Sequence, residues 1–362
     1  GPRSVGRSRV VVVAQAFKES FAAPEVAAAW ERGVRAAGAD PIVVLGSDGG
    51  DGLLDALRSQ LSRTTSISAE DPLGRPIRVP VGWLDASTAV VESRFACGLA
   101  LLDPGERQPL STSTRGVGTA VQRVAEGGAT RVYLGLGGSA TVDGGLGMAR
   151  AWGWRALDAS GEPLAEGGGS LAELASLRPG RRPPVAITGL VDVANPLNGE
   201  RGARIYAAQK GATPRDVERL AAGLERLAAV TGAAGPGGAA LRPGAGAAGG
   251  LGFGILQFAD GELVSGAEWV LGRAGLARAL RGAQLVLIGE GGFDRTSLEG
   301  KLTGVVIAQA REMGVTAVLV TPRAEAVPAD VVLESGGAPW DLAELEHRAN
   351  VAIRRALRLL AS

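Results

Sequence analysis

The chain has 362 residues, 46% of them hydrophobic and 21% charged, with 38 basic side chains against 37 acidic ones. That balance excludes the basic stripe of a nucleic-acid binder and the like-charge runs of a disordered or membrane-surface segment. One histidine, His347, and one cysteine, Cys97, exclude an internal disulfide and a multi-histidine zinc site, and would leave a Ser-His-Asp hydrolase resting on a single residue.

In chain order, the continuous apolar run Val10–Ala14 reads as a buried parallel strand. A loop holding Lys18 leads to a helix over Pro24–Ala37, with Pro24 in its first turn and Gly38 after its end. Pro41–Leu45 is a second strand, Gly46–Gly52 a Gly/Asp loop, and Leu53–Leu61 a helix. Between Ser66 and Ala96 the pattern shifts to short strands and turns, with Ala89–Glu92 a strand and Asp71–Pro76 a turn. Gly116–Glu126 reads as a helix, Arg131–Leu136 as a strand, Gly145–Trp152 as a short helix, Val185–Val191 as a strand and Thr213–Ala229 as a helix. Residues 232–254 are rich in Gly and Ala. Ala283–Ile288 and Thr316–Thr321 are apolar strands flanking a helix over Thr303–Met313. From Asp341 the tail is amphipathic, with Leu342, Leu345, Ala349 and Ile353 at helical spacing.

Both ends therefore read as doubly wound α/β and the middle differs. The expected architecture is two α/β domains. Residues 9–68 and 280–362 form a Rossmann- or flavodoxin-like parallel-sheet domain, with a second α/β domain over 69–279 inserted and the active site in the cleft between them. No apolar stretch reaches the roughly 18 residues of a membrane span, so the expected location is the cytoplasm.

Gly-rich loops follow apolar strands at Gly46–Gly52, Gly135–Gly145, Gly244–Gly252 and Gly289–Asp294. Loops beyond strand carboxyl ends are where open α/β sheets bind ligands, and glycine lets backbone N–H groups approach an anion. Repeated use of the device points to a polyphosphate. Neither a G-x-x-x-x-G-K-[ST] P-loop nor the H-R-D and D-F-G pairs of protein kinases occur. Gly135-x-Gly137-x-x-Ala140 fits a loose dinucleotide pattern, but Asp143-Gly144-Gly145 breaks the helix that should start there. The loops also carry Asp48, Asp51, Asp143, Glu290 and Asp294, and Asp192 follows another strand. Phosphoryl transfer needs carboxylates for Mg²⁺ and for the acceptor's proton, and cations for the transferring group. Lysine is confined to Lys18, Lys210 and Lys301, each beside one of these unusual motifs.

The ordered set AFKES, SDGGDG, DPLGRP, GLGGSATVDGG, DVANPL, QKGATP, PGAGAAGGLGFG and GEGGFDRTSLEGK resembles the bacterial glycerate kinases of the type without a P-loop, over about residues 10–305. The resemblance implies a two-domain α/β kinase that moves the ATP γ-phosphate, with Mg²⁺, to D-glycerate, giving 2- or 3-phosphoglycerate. On this reading Gly137, Gly138, Ser139, Thr141, Gly246, Gly249 and Gly250 bind the phosphates. Lys18 and Lys301 contact phosphate or the acceptor's carboxylate, and Asp192 is the general base. Asp48, Glu290 and Asp294 are candidates for the metal. Gln15, Arg75, Arg115, Ser139 and Asn195 face the acceptor, the arginines through bidentate contact with a carboxylate. The expected partners are a hydroxy acid or polyol, a nucleotide and a second copy of the chain in a homodimer, with no nucleic acid and no membrane.

The chain departs from the family pattern in places. Gln15-Ala16 stands where Asp-Ser is usual, Ala194 replaces a second Asp, and Gly292 replaces a basic residue. The helix after Lys301 lacks the common proline, and Thr321-Pro322-Arg323 ends a strand where small residues are usual. An altered acceptor, a nucleotide-binding protein without turnover, and a phosphatase or sugar isomerase are the other readings.

Overall fold

The computed structural model describes residues 6–17, 20–337 and 339–362. In chain order the strands are β1 (Arg9–Ala14) and β2 (Asp40–Leu45), followed by β3 (Arg63–Glu70), β4 (Pro76–Trp83), β5 (Thr88–Glu92), β6 (Arg131–Gly135), β7 (Arg155–Leu157), β8 (Ser176–Arg178), β9 (Ala186–Val191) and β10 (Glu262–Ser265). The chain closes with β11 (Leu285–Gly289), β12 (Thr316–Thr321) and β13 (Val332–Ser335). It divides into two compact units, and both are α/β.

The first unit takes the chain up to Asp48, residues 55–58 and everything from Ala267 onward. Its sheet has the order β13-β12-β11-β1-β2, and every neighbouring pair is parallel. Counted within the unit this is the 2-1-3-4-5 order of flavodoxin-like folds, whose direction of winding reverses between β1 and β11. The valine run explains the layers. Successive side chains of a strand point to opposite faces. Val10 and Val12 feed a core with Trp30 and Ile353, while Val11 and Val13 feed one with Leu271 and Val306.

The helix Ala23–Ala36 buries Val26, Trp30, Gly33 and Val34, and Glu25 accepts a hydrogen bond from the Ala22 N–H at its start. It packs on the C-terminal helix Leu342–Ala361, whose Leu345, Ala349 and Ile353 are fully buried as their spacing predicts. Gly33 sits at the crossing, where a Cβ would come within 2.3 Å of the Glu346 carbonyl oxygen.

The second unit holds residues 49–54 and 59–266. Its six-stranded sheet runs β10-β9-β6-β5-β4-β3; β10, β9, β6 and β5 are mutually parallel, and β4 and β3 are antiparallel additions. A separate antiparallel pair joins β7 to β8. One core spans the unit, from Val79 and Trp83 through Leu134 and Met148 to Leu224 and Phe253.

The exchange between units differs from the expected boundaries at 68/69 and 279/280. Strand β3 pairs along its full length with β4, from Arg63 opposite Trp83 to Glu70 opposite Pro76, so it belongs to the second unit. At the other end, Ala267, Leu271, Leu276 and Leu280 pack in the core beneath Val11 and Val44, so the helices Gly266–Ala274 and Leu276–Leu280 go with the first unit. Residues 247–258 of the Gly/Ala-rich region form a helix, entered through Ala248, Gly249 and Gly250, all left-handed. The short edge strands β10 and β13 carry too few residues to give a period. Among the described residues no helix is long and apolar enough to cross a membrane.

Substituting Gly33 by Leu should cost about 2–3 kcal/mol, because two helix backbones must separate to admit the side chain. A urea unfolding curve with a lowered midpoint and unchanged slope is the expected result, and a wild-type midpoint would contradict the close approach.

Candidate active site

In the first unit the carboxyl ends of β1 and β11 carry Gln15 and Glu290, the residues immediately after each strand. This is the switch point of the sheet, where ligands bind in such folds. Gln15 is buried, and its Nε2 donates to the Gly289 carbonyl at 2.9 Å and to Thr303 Oγ1 at 3.2 Å. Its amide thus ties β1 to β11 and to the helix Leu302–Glu312. A carboxylate at position 15 could not donate to that carbonyl.

Asp48, beyond β2, accepts a hydrogen bond from the Leu302 N–H, at the start of the same helix. Lys301 is that helix's N-cap residue. Asp294 is exposed and caps the turn Arg295–Leu298, accepting from the Thr296 N–H at 2.8 Å and its hydroxyl at 2.5 Å; these bonds hold its carboxyl below the usual range.

Glu290 is different. Burial pushes its carboxyl up to about 7; the Ser297 hydroxyl and Lys301 oppose the rise, and the charges of Asp48 and Asp294 add to it. Its Oε1 is fully buried with no hydrogen-bond partner. A buried carboxylate oxygen left without a donor is costly unless something else occupies it. Hard oxygen donors with neighbouring negative charge suit Mg²⁺, which uses one or two carboxylates and takes its remaining ligands from water and substrate phosphates. Among the described residues no three His, Cys, Asp or Glu side chains already converge on one point. The residues present fit a metal completed by substrate.

In the second unit the loop after β6 is built from inside. Asp143 is buried and accepts from four donors: the Thr114 N–H at 2.9 Å and its hydroxyl at 2.9 Å, the Gly145 N–H at 3.0 Å and the Gly147 N–H at 3.1 Å. Burial raises its carboxyl above the usual range and the four bonds oppose that rise. Asp143 therefore locks the loop to the start of the helix Arg115–Glu126. Lys210, also buried, reaches the loop from the turn Ala208–Lys210, and its Nζ donates to Ser139 Oγ and to the Thr141 carbonyl, both at 2.8 Å.

Between these anchors, the N–H groups of Gly137, Gly138 and Ser139 make no hydrogen bond among the described residues. Gly138 is exposed with φ +60°, and Asp51 Oδ1 lies 3.0 Å from where its Cβ would be. Asp51 and its neighbours are held by Glu92, a residue the sequence did not single out. Glu92 accepts from the Gly52 N–H at 3.0 Å and the Leu54 N–H at 3.2 Å, and it pairs with Arg94 at 2.9 Å. A lone Glu at a strand end carries no sequence signal; only the pairing of β5 with β6 brings it there.

The remaining sequence candidates fall as follows. Lys18 lies outside the described residues. Asp192 is half-buried directly after β9, at the carboxyl end of the second sheet. Asn195 donates to the Arg201 carbonyl at 2.6 Å and so closes its own loop. Gly246 and Gly249 are packing glycines: a Cβ at Gly249 would stand 1.7 Å from the Thr141 carbonyl oxygen, and one at Gly246 2.3 Å from that of Pro196. Gly250 likewise abuts Gly144. Gly249 and Gly250 shape the Thr141–Gly145 loop from behind, while Gly246 packs on Pro196 and Ala203. Arg75 is engaged by Asp71 and Glu106, each at 2.6 Å, and Arg115 by Glu166. Both guanidinium groups already have carboxylate partners within the protein. His347 is exposed on the C-terminal helix, and the Cys97 thiol is buried and pushed up to about 12.

A family model described as the glycerate kinase family matches residues 10–362. The chain is 37% identical to a glycerate kinase of Halalkalibacterium halodurans, covering 86% of this chain and 84% of that one. It is 37% identical to the Bacillus subtilis glycerate kinase, over 83% and 81% of the two chains, and 37% identical to the Escherichia coli glycerate 2-kinase, over 81% and 80%. The crystal structure of a candidate glycerate kinase 2 from Salmonella typhimurium matches with a TM-score of 0.79 at 31% identity, covering 98% of this chain and 99% of that one.

Replacing Asp143 by Ala strands four donors in a buried site and should lower stability by about 3 kcal/mol or more. Chemical denaturation measures it; a loss below ~1 kcal/mol would mean the loop is held by something else.

Proposed function

The chain belongs to the glycerate kinase family and is a kinase acting on a hydroxyl group; from that premise we propose that it transfers the γ-phosphoryl group of ATP to a hydroxyl of D-glycerate, with Mg²⁺. The observation that carries the nucleotide half is the run of three unpaired N–H groups at Gly137, Gly138 and Ser139, on a loop held rigid from behind. Preformed N–H groups of this kind answer phosphate oxygens without reorganising. The family relationship supports glycerate as acceptor.

Glu290 and Asp48 would hold the metal, which when bound supplies positive charge to the phosphate oxygens. Lys301 and Lys18 supply further cations for the transferring group. Asp192 is the carboxylate we assign to accept the acceptor's hydroxyl proton as its oxygen attacks phosphorus, the usual role of a catalytic-loop Asp in phosphoryl transfer. Gln15, Ser139 and Asn195 lie on the candidate loops, and acceptor choice is assigned to that set. A changed acceptor is favoured by one observation: the Gln15 amide uses Nε2 on Gly289 and Thr303, where the family's usual Asp would present only acceptors.

The test is ADP release from ATP and Mg²⁺ with D-glycerate, beside a panel of hydroxy acids and polyols. Release with glycerate supports the proposal, release only with another acceptor shifts it to that acceptor, and release with none overturns it. In the same assay Lys301→Ala should lower kcat by ~10²-fold or more, since a charge aimed at the transferring group is worth several kcal/mol; near-normal turnover would remove Lys301 from the mechanism.

The state of Glu290 gives a second check. Its carboxyl stands near 7 without metal, so the ionised form fills as pH rises through about 7. Activity at limiting Mg²⁺ should rise over that range, and saturating Mg²⁺ should move the rise to lower pH because a cation favours the carboxylate. Glu290→Gln should abolish the rise. An Mg²⁺-independent profile would exclude Glu290 as a ligand.

A further inference from the structure

Lys210 plays no part in the reaction as assigned above, yet its position is unusual for a lysine. It is 6% exposed, and charged side chains are rarely buried without a carboxylate directly bonded to them. Its three donors meet two acceptors, Ser139 Oγ and the Thr141 carbonyl, and neither is charged. A purely structural plug for this space would be apolar, since removing a charge from water is expensive. Lys210 instead holds the residue that ends the run of unpaired N–H groups, Ser139, and the residue two further on.

We propose that Lys210 is the positioning residue of the phosphate loop: from inside the unit it fixes Ser139 and Thr141 so that the N–H groups of Gly137, Gly138 and Ser139 face outward together, and it places a positive charge behind them for a polyphosphate. This rests on the nucleotide reading given above.

The titratable groups that act on Lys210 are Cys97, from the short helix Arg94–Cys97, and Asp143. Burial lowers the Lys210 amine to about 8, and the charge of Asp143 opposes that fall. Burial raises the Cys97 thiol to about 12, so it stays neutral across the range of interest. The amine is therefore charged below pH 8 and loses its proton as pH rises through that value. Polyphosphate affinity, if it depends on that charge, must fall over the same interval.

The experiment is calorimetric titration of the full chain with ATP, with tripolyphosphate and with adenosine, without metal, between pH 7 and 9.5. For the wild type, Kd for ATP and tripolyphosphate should rise about tenfold across the interval, the size of one charge-assisted hydrogen bond, while adenosine binding stays level. Lys210→Met should raise Kd for both phosphates about tenfold at pH 7, leave adenosine unchanged and flatten the pH dependence. A folded Lys210→Met chain with wild-type phosphate affinity overturns the proposal. Should that variant not fold, the wild-type profile decides: a flat tripolyphosphate affinity from pH 7 to 9.5 overturns it equally. If the wild type binds neither ATP nor tripolyphosphate, the nucleotide reading itself fails and takes this proposal with it, a result distinct from binding that ignores Lys210.

Discussion

Two charges of opposite sign lie inside the second unit, Asp143 and Lys210, and the loop after β6 takes its form from answering both. A carboxylate sealed from water must find donors, and Asp143 takes them from the backbone that follows it, at Gly145 and Gly147, and from Thr114. An ammonium sealed from water must find acceptors, and Lys210 takes them from Ser139 and Thr141. The two demands pin residues 139–147 from opposite ends. What is left over is the stretch Gly137–Ser139, with its N–H groups unspent. The loop's outward face is a consequence of its inward obligations.

The glycines belong to the same constraint. Gly249 and Gly250 bring a second loop against Thr141–Gly145 at distances no side chain permits, and Gly249 lies at φ +65°. Ala248 shares the left-handed conformation at φ 53°, which for a residue with a Cβ costs on the order of 1 kcal/mol or more. That strain persists because the neighbouring backbone fixes the turn, with the Gly144 N–H donating to the Gly249 carbonyl at 3.0 Å. Glycines that the sequence suggests as anion ligands thus divide into two kinds. Gly137 and Gly138 keep N–H groups without a partner among the described residues; Gly246, Gly249 and Gly250 allow backbones to touch.

The doubly wound first unit was legible because its strands are unbroken apolar runs and its terminal helix keeps a clean 3.6-residue period. The boundaries were not. Strand β3, RTTSISAE, alternates weakly, and only its register on β4 tells which unit owns it. The loops after the strands were legible as loops, and Glu290 and Asp48 as acids within them. Which acid is orphaned and which is a cap was not, since Asp294 and Glu290 are only four residues apart in one Gly-rich loop and burial and partners appear only in the fold. Glu92 and the inward turn of Lys210 were illegible for the same reason: each finds its partners on a segment distant in the chain. Arg75 and Arg115 looked like carboxylate binders, and they are, but the carboxylates are the protein's own.

The departures at the end of the first unit also read differently in three dimensions. Gly292 occupies a position where the resemblance leads one to expect a basic side chain, and Arg323 one where it leads one to expect a small residue. The two are neighbours. The Phe293 N–H donates to the Arg323 carbonyl at 2.9 Å and the Glu325 N–H to the Phe293 carbonyl at 2.9 Å, which stitches the segments side by side. A guanidinium nitrogen of Arg323 lies 4.0 Å from where a Cβ of residue 292 would begin. The guanidinium of Arg323 thus stands beside residue 292, in the loop that also carries Glu290 and Asp294. A charge acts through its position in space, not through its place in the chain, so two departures that look unrelated in sequence meet at one loop in the fold.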